Sequence, residues 1–327
     1  MILKAKEKYN IGIIGATGLV GRCLIKLLET SSINIDNLYL FASSKSKGKK
    51  IKFKNKEYTV NEFGNKYYEL IDIFFFTSTV DISKQYIPKL LDFNNLIIDN
   101  SAAYRMNKFV PLIVPNVNIQ ECFNKQLISN PNCSTIQIVE IIDIINKLFK
   151  VRKINYNTYQ SVSGSGIKGI LDLKEQKSRF YPFPINKTCI PKIGNKDIKN
   201  FTSEEVKMIR ETNKILNSNI KIYSTCVRVP IEIGHGVSIY LETKKKIGLV
   251  KLFKEINDRP NLIIKDDLDK DLYPTSIDTF DNNKIYLGRI RNPNKHTLLL
   301  YTTSNNLLTG AASNAVEIAE KYLKNLK

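Results

Sequence analysis

Four glycines spaced three residues apart, Gly12, Gly15, Gly18 and Gly21, stand where an apolar strand candidate, Tyr9 to Ile14, gives way to a helical pattern through Leu24, Leu27 and Leu28. Glycine lets the backbone turn sharply and approach a pyrophosphate, whose charge the N–H groups opening the helix stabilise. A glycine pattern alone is a weak signal. Its place in a strand–turn–helix unit near the start of the chain favours a dinucleotide-binding loop over a purely structural turn.

Strand-like runs recur at Leu38 to Phe41, Ile71 to Phe76, Leu96 to Ile98 and Gln126 to Ile128, with helical or loop stretches between. That alternation predicts a parallel sheet covered by helices. After an apolar helical run, Ile136 to Phe149, the texture changes. Lys153 to Ser161, Ile220 to Pro230, Gly236 to Thr243 and Leu298 to Thr303 read as strands of a second, mixed sheet. Leu173 to Asn200 is a long irregular stretch broken by prolines, read as a substrate-side or subunit-contact loop. Ala311 to Leu323 is a final amphipathic helix after Gly310. The fold class expected is α/β, with a Rossmann-like dinucleotide-binding domain and an α+β domain around a mixed sheet.

A chain of 327 residues that is 43% hydrophobic can build two cores. Its apolar runs are strand-sized rather than membrane-sized, and the lysine-rich first residues contain no apolar segment of signal-peptide length. The expectation is a cytoplasmic protein that does not engage a membrane. The cysteines at positions 23, 122, 133, 189 and 226 form no Cys-x-x-Cys pair, and with only His235 and His296 as histidines no metal site is expected. The net charge of +19 comes from lysines scattered among asparagines and isoleucines, without a nucleic-acid recognition motif or aromatic–basic interleaving. It is read as a solvated surface that can also concentrate phosphorylated ligands, not as a nucleic-acid interface.

An NAD site usually places an acidic residue at the end of the second strand, where it would repel a 2′-phosphate. Here the segment is Phe41-Ala42-Ser43-Ser44-Lys45-Ser46-Lys47-Gly48-Lys49, hydroxyls and lysines without a carboxylate. NADP is therefore the expected cofactor.

The run Ser129-Asn-Pro-Asn-Cys133-Ser-Thr ends a turn just before the Ile136 helix, so the Cys133 thiol lies where helical N–H groups favour the thiolate. Taken alone, a nucleophile and a buried structural cysteine are equally good readings. His235, between Gly234 and Gly236 at a strand edge, is the best candidate base, and His296 in a polar turn reads as solvent-facing. Arg228 offers a planar fork for a carboxylate. Gln160, in Tyr159-Gln-Ser-Val-Ser-Gly, can hydrogen-bond a substrate at a sheet edge. These residues describe a dehydrogenase that uses a thiol and NADP on a carbonyl near a charged group.

With these motifs in place, the chain resembles the aspartate-semialdehyde dehydrogenases of the bacterial type over nearly its whole length. The matching stretches are Gly12 to Gly21, Asp99-Asn-Ser-Ala-Ala-Tyr-Arg105-Met, Ser129 to Thr135, Tyr159 to Gly164, Thr225-Cys-Val-Arg228-Val-Pro, and Gly310-Ala-Ala-Ser-Asn314 through Glu320. The resemblance implies reversible, NADPH-dependent reduction of L-4-aspartyl phosphate to L-aspartate 4-semialdehyde and phosphate. Cys133 would form a thioester and His235 would take the proton as the thiohemiacetal collapses. It further implies that Arg228 pairs with the substrate α-carboxylate, Gln160 orients the substrate and Glu204 meets the α-amino group. Arg105 and Lys207 would hold phosphate, and Asn132 would help to hold the oxyanion.

Glu204 and Lys207, three apart, share a face if their segment is helical; without the resemblance they read as an ordinary surface ion pair. For the cofactor, the resemblance implies Gly15, Ala16, Thr17, Gly18, Leu19, Val20, Ser43, Ser44, Lys45, Ser46, Ser163, Gly164 and Asn306. It also implies a homodimer, with 1–130 plus 310–327 binding NADP and 131–309 forming the catalytic and dimerisation domain. Three positions depart from the family pattern. Gly236 replaces a common serine, Thr309 a lysine and Lys45 an arginine. The nearest alternative is an N-acetyl-gamma-glutamyl-phosphate reductase, which usually shows Pro-Gly-Cys where this chain has Pro131-Asn132-Cys133. A non-catalytic NADPH-binding regulatory protein would have no need of Cys133, His235 and Arg228 together.

Overall fold

The computed structural model describes residues 3–326; Met1, Ile2 and Lys327, which the expected nucleotide domain includes, lie outside the described residues. The chain divides into two compact units, Met1–Pro131 with Ala311–Lys327, and Asn132–Gly310. Among the described residues no helix is long and apolar enough to cross a membrane.

The first unit opens with β1 (Tyr9–Ile14), α1 (Leu19–Leu28) and β2 (Ile35–Phe41), followed by a hairpin of β3 (Lys50–Phe53) and β4 (Lys56–Asn61). It continues through β5 (Ile73–Phe76), α2 (Val80–Leu90), β6 (Leu96–Asp99), α3 (Pro115–Asn118) and β7 (Leu127–Ser129). The strands order as β3-β4-β2-β1-β5-β6-β7, parallel except for the β3–β4 hairpin. In β5 the sequence Ile-Phe-Phe-Phe is fully buried, as expected of a strand covered on both faces. Ile73 and Phe75 pack with Leu24 and Leu28 of α1 and with Ala315, Ile318 and Tyr322 of the C-terminal helix, Asn314–Leu326. Phe74 and Phe76 pack on the other face with Ile87 and Leu90 of α2. The hairpin carries its lysines on an edge strand, where charge discourages pairing with another chain.

The second unit begins with α4 (Cys133–Phe149), then β8 (Val151–Gln160), α5 (Ile167–Lys174), α6 (Ser203–Ile215), β9 (Lys221–Arg228) and β10 (His235–Thr243). After these come α7 (Leu249–Asn257), β11 (Leu262–Ile264), β12 (Ile285–Asn294) and β13 (Thr297–Ser304). The sheet order is β11-β12-β13-β10-β8-β9, with parallel and antiparallel pairs. Alternation in β8 buries Ile154, Tyr156, Thr158 and Gln160. Ile154 and Tyr156 join Ile138, Ile142 and Ile145 of α4 and Leu252 of α7 in the core.

The α/β class and the mixed second sheet agree with the sequence. The irregular stretch is largely as read, although its first residues finish α5. Asp172 of that helix ties the loop down by accepting N–H bonds from Arg179, Phe180 and Tyr181.

Candidate active site

Strand register brings three side chains to one end of the second sheet. Gln160 pairs with Arg228 across β8 and β9, and Gly236 pairs with Tyr159, so His235 opens β10 beside the end of β8. All three are buried, at 1%, 5% and 1% exposure respectively. Gly164 lies where Arg228 and His235 converge: a Cβ there would come 2.9 Å from Arg228 Nη1 and 3.4 Å from His235 Nε2.

Cys133 is the first residue of α4 and half-buried. Its helix is capped by Asn132, whose side-chain oxygen accepts the Ser134 N–H at 3.0 Å. Helix α6 clamps that cap. Glu204 accepts from Asn132 Nδ2 at 2.8 Å, and Glu211 accepts the Asn132 backbone N–H at 2.6 Å. A capping box between Thr202 and Glu205 starts α6 and sets its register. Glu204 then stands three residues from Lys207, which it pairs at 3.1 Å, and seven from Glu211. Gln160 Nε2 donates to Ser134 Oγ at 2.6 Å and to Glu204 at 3.2 Å, tying the sheet end to the cysteine's helix. On the other side, a Cβ at Gly310 would lie 2.7 Å from that of Cys133, so only glycine leaves Cys133 in place.

Burial alone would raise the Glu204 carboxyl. The Lys207 charge and the bonds from Asn132, Lys207 and Gln160 outweigh it and hold the pKa at about 2. His235 goes the other way from most histidines beside a carboxylate. Burial, then the Arg228 charge, pushes it down to about 3 against the pull of Glu204, so the ring is neutral. Its Nδ1 faces two groups of Ser161, the backbone N–H at 3.0 Å and the hydroxyl at 3.0 Å. Ser161 Oγ in turn donates to Asn306 Oδ1 at 3.0 Å, which leaves a lone pair for Nδ1. Ser161 therefore offers Nδ1 both a donor and an acceptor, and either neutral tautomer is accommodated. Nε2 makes no hydrogen bond, and neither does Arg228 Nε, while Arg228 Nη1 is anchored to the Ser161 carbonyl at 2.6 Å.

The first unit holds a cleft of about 700 Å³ at the ends of β1, β2 and β5, lined by Gly15, Thr17, Gly18, Ser43 and Ser44 among others. Gly15 has φ +92°, and a Cβ there would approach the Thr77 carbonyl oxygen to 2.7 Å, so the turn requires glycine. The loop, the helix start and the hydroxyls fit a dinucleotide. Ala16 is fully buried in the core and its N–H is spent on the Phe41 carbonyl at 3.0 Å, as is that of Gly15 at 2.8 Å, so these two amides close the turn. Leu19 and Val20 begin α1, and exposed Lys45 and half-buried Ser46 lie in a single turn beyond the cleft lining. Ser163 and Asn306 are buried and bonded to each other, and Asn306 also holds Ser161 and the Gly234 N–H; their contacts support His235. Arg105 belongs to the first unit, where its Nη2 donates to the Asn100 carbonyl at 2.7 Å.

The segment after β2 has no carboxylate, as read, and a carboxylate reaches the cleft from elsewhere: Glu62, one residue past β4, lines it. The β2–β4 register places it beside Ala42.

Residues 10–125 match the family described as semialdehyde dehydrogenase, NAD binding domain, and residues 143–309 match semialdehyde dehydrogenase, dimerisation domain. The aspartate-semialdehyde dehydrogenase of Aquifex aeolicus is 38% identical over 97% of this chain and 98% of its own. This chain belongs to the aspartate-semialdehyde dehydrogenase family. The Bacillus subtilis aspartate-semialdehyde dehydrogenase is 34% identical over 96% of this chain and 97% of its own. Aspartate-semialdehyde dehydrogenase II of Vibrio cholerae superposes with a TM-score of 0.91 at 32% identity, covering 98% of this chain and 99% of that one. A second Vibrio cholerae structure, complexed with ASA, gives 0.91 at 31% identity, with the same coverage.

Among aspartate-semialdehyde dehydrogenases the departure at Gly236 acquires a reason: a Cβ there would collide with the Tyr301 hydroxyl, which occupies the space a serine would use. Thr309 is 8% exposed, a small side chain in a closed position. Sequence reasoning missed Glu211, Ser161 and Glu62. Glu211 was accessible, since it follows Glu204 by two helical turns. Ser161 acts through its position beside His235 and carries no pattern of its own.

Proposed function

We propose that the chain catalyses the reversible, NADPH-dependent conversion of L-4-aspartyl phosphate to L-aspartate 4-semialdehyde and phosphate, as a cytoplasmic homodimer. The observation that carries this reading is the hydrogen-bonded arrangement of Asn132, Gln160, Glu204 and Glu211 around the start of the Cys133 helix, with Arg228 and neutral His235 at the adjoining sheet end.

The Cys133 thiolate, favoured by the helix N-terminus, attacks the acyl carbon. The carbon–oxygen bond to phosphate breaks, and the acyl group remains on Cys133 as a thioester. Asn132, whose Nδ2 has a second hydrogen beyond the one given to Glu204, and the Cys133 N–H take the developing oxyanion, while the Ser134 N–H stays on the Asn132 cap. Gly15, Thr17, Gly18, Ser43 and Ser44 would hold the dinucleotide, which when bound would supply the hydride that reduces the thioester. The thiohemiacetal oxyanion takes a proton from water. Neutral His235, as the tautomer whose Nδ1–H is accepted by the Ser161 hydroxyl, presents the Nε2 lone pair, removes that hydroxyl proton as the carbon–sulfur bond breaks and passes it to the departing Cys133 thiolate.

Arg228, with Nε free of protein partners, takes the α-carboxylate. Ionised Glu204 takes the α-ammonium and Lys207 the phosphate.

The test gives the purified protein NADP, phosphate and aspartate semialdehyde, beside the same mixture with N-acetylglutamate semialdehyde, and follows NADPH absorbance. Phosphate-dependent turnover of the first compound is expected. Preference for the acetylated compound would overturn the assignment in favour of the glutamyl-phosphate reductase reading. Cys133→Ala should abolish turnover and leave NADPH binding intact.

A further inference from the structure

Glu62 is the one charged residue among the described residues lining the nucleotide cleft. It sits at the position from which specificity is read. The Asn61 carbonyl accepts the Ala42 N–H at 3.1 Å, so Glu62 emerges beside Ala42 and Ser43 at the end of β2. A carboxylate at the end of the second strand bonds ribose hydroxyls and repels a 2′-phosphate. This one arrives from the neighbouring strand, so it is invisible to a reading of the β2 segment. It is also held. Lys47, from the turn after β2, pairs with it at 3.3 Å, with both side chains largely in solvent.

We propose that the Lys47–Glu62 pair sets how strongly the cleft discriminates between a 2′-phosphorylated and an unphosphorylated adenosine. This rests on the dinucleotide reading of the cleft. Glu62 alone would oppose a 2′-phosphate that carries up to two negative charges. Lys47 cancels part of that field and, with Lys45 and Lys49 on the same exposed turn, supplies cationic partners for the phosphate. The site therefore combines an acid suited to NAD with bases suited to NADP, and its preference for the 2′-phosphate is the difference between them.

Calorimetric titration of the whole protein with 2′,5′-ADP and with 5′-AMP, which differ only in the 2′-phosphate, reads this without catalysis. Glu62→Gln should tighten 2′,5′-ADP about fivefold and leave 5′-AMP unchanged or weaker, because a charge pair at solvent-exposed range is worth on the order of 1 kcal/mol. Lys47→Met should weaken 2′,5′-ADP by a similar factor and change 5′-AMP affinity less than twofold. Both effects should shrink at high ionic strength, as expected for exposed charges. If Glu62→Gln alters both ligands equally, or neither, the pair is a surface salt bridge and the proposal is overturned. If the unaltered protein binds neither ligand, the dinucleotide reading of the cleft falls, and this proposal with it.

Discussion

The candidate sites of the two units are built by opposite means. The nucleotide cleft is made largely of backbone and short hydroxyl side chains, and its charged groups are solvent-exposed and screened. The proposed catalytic site is made of largely buried, mutually bonded charges drawn from residues 132 to 310. In the first, one glycine decides whether the turn forms. In the second, Lys207, Asn132 and Gln160 keep Glu204 ionised against its burial, and burial, then the Arg228 charge, keeps His235 neutral. Small changes should therefore act on binding in one unit and on turnover in the other.

A pair of matched substitutions tests that separation most severely. Gly310→Ala should push Cys133 off its position and lower kcat about a hundredfold, since a displacement of about 1 Å in a reacting group costs that much. Dinucleotide affinity, measured by titration, should stay unchanged. Gly15→Ala should do the reverse, abolishing measurable dinucleotide binding while leaving alkylation of Cys133 by iodoacetamide at its normal rate. If either variant shows the other's pattern, the comparison fails.

Glu211→Ala comes next. It strips the acceptor from the Asn132 N–H and should lower kcat about tenfold, with about 1–3 kcal/mol of stability lost by denaturant titration. Glu211→Gln, which keeps an acceptor, should restore most of kcat; a role in stability alone would restore stability without it.

The buried charges also give the second unit an acid sensitivity. The His235 pKa is lower in the folded chain, about 3, than the ordinary 6.5, so the unfolded chain binds the extra proton first as pH falls. Stability from this group is whole above 6.5 and declines as pH drops toward 3. Glu204 acts in the same direction, whole above its ordinary 4.5 and declining toward about 2. Thermal unfolding between pH 7 and 4 should thus show a falling Tm, and His235→Asn should flatten the part of the slope between about 6.5 and 4. An unchanged slope would mean that His235 is not held neutral. The smallest effect is expected at Gly236→Ser, about 1–3 kcal/mol of destabilisation from overpacking against Tyr301, relieved by a second change, Tyr301→Val.

The same contrast explains what the sequence could reveal. Glycine spacing, the apolar runs of β1, β5, β6 and α4, and the Asn-Pro-Asn-Cys turn are local signals, and the structure places them as expected. The β3–β4 hairpin was not legible because its lysines mask the few apolar residues, Phe53 and Val60, that pack inward. Glu62 was hidden for the same reason: its approach to the β2 end depends on β2–β4 pairing. In the catalytic unit, Cys133, Gln160, Arg228 and His235 stood out as chemical types. The Ser161 support of His235 and the Glu211 clamp on Asn132 arise only from strand register and helix packing.

The central claim is that Cys133 carries the acyl group. Mixing the protein with L-4-aspartyl phosphate in the absence of NADPH, followed by acid quench and intact-protein mass spectrometry, tests it directly. The account predicts release of phosphate and one aspartyl adduct, mapped to the Cys133 peptide, discharged on adding NADPH and absent from Cys133→Ala. An adduct on another residue, or phosphate release with Cys133 unmodified and unaltered activity in Cys133→Ala, would contradict it.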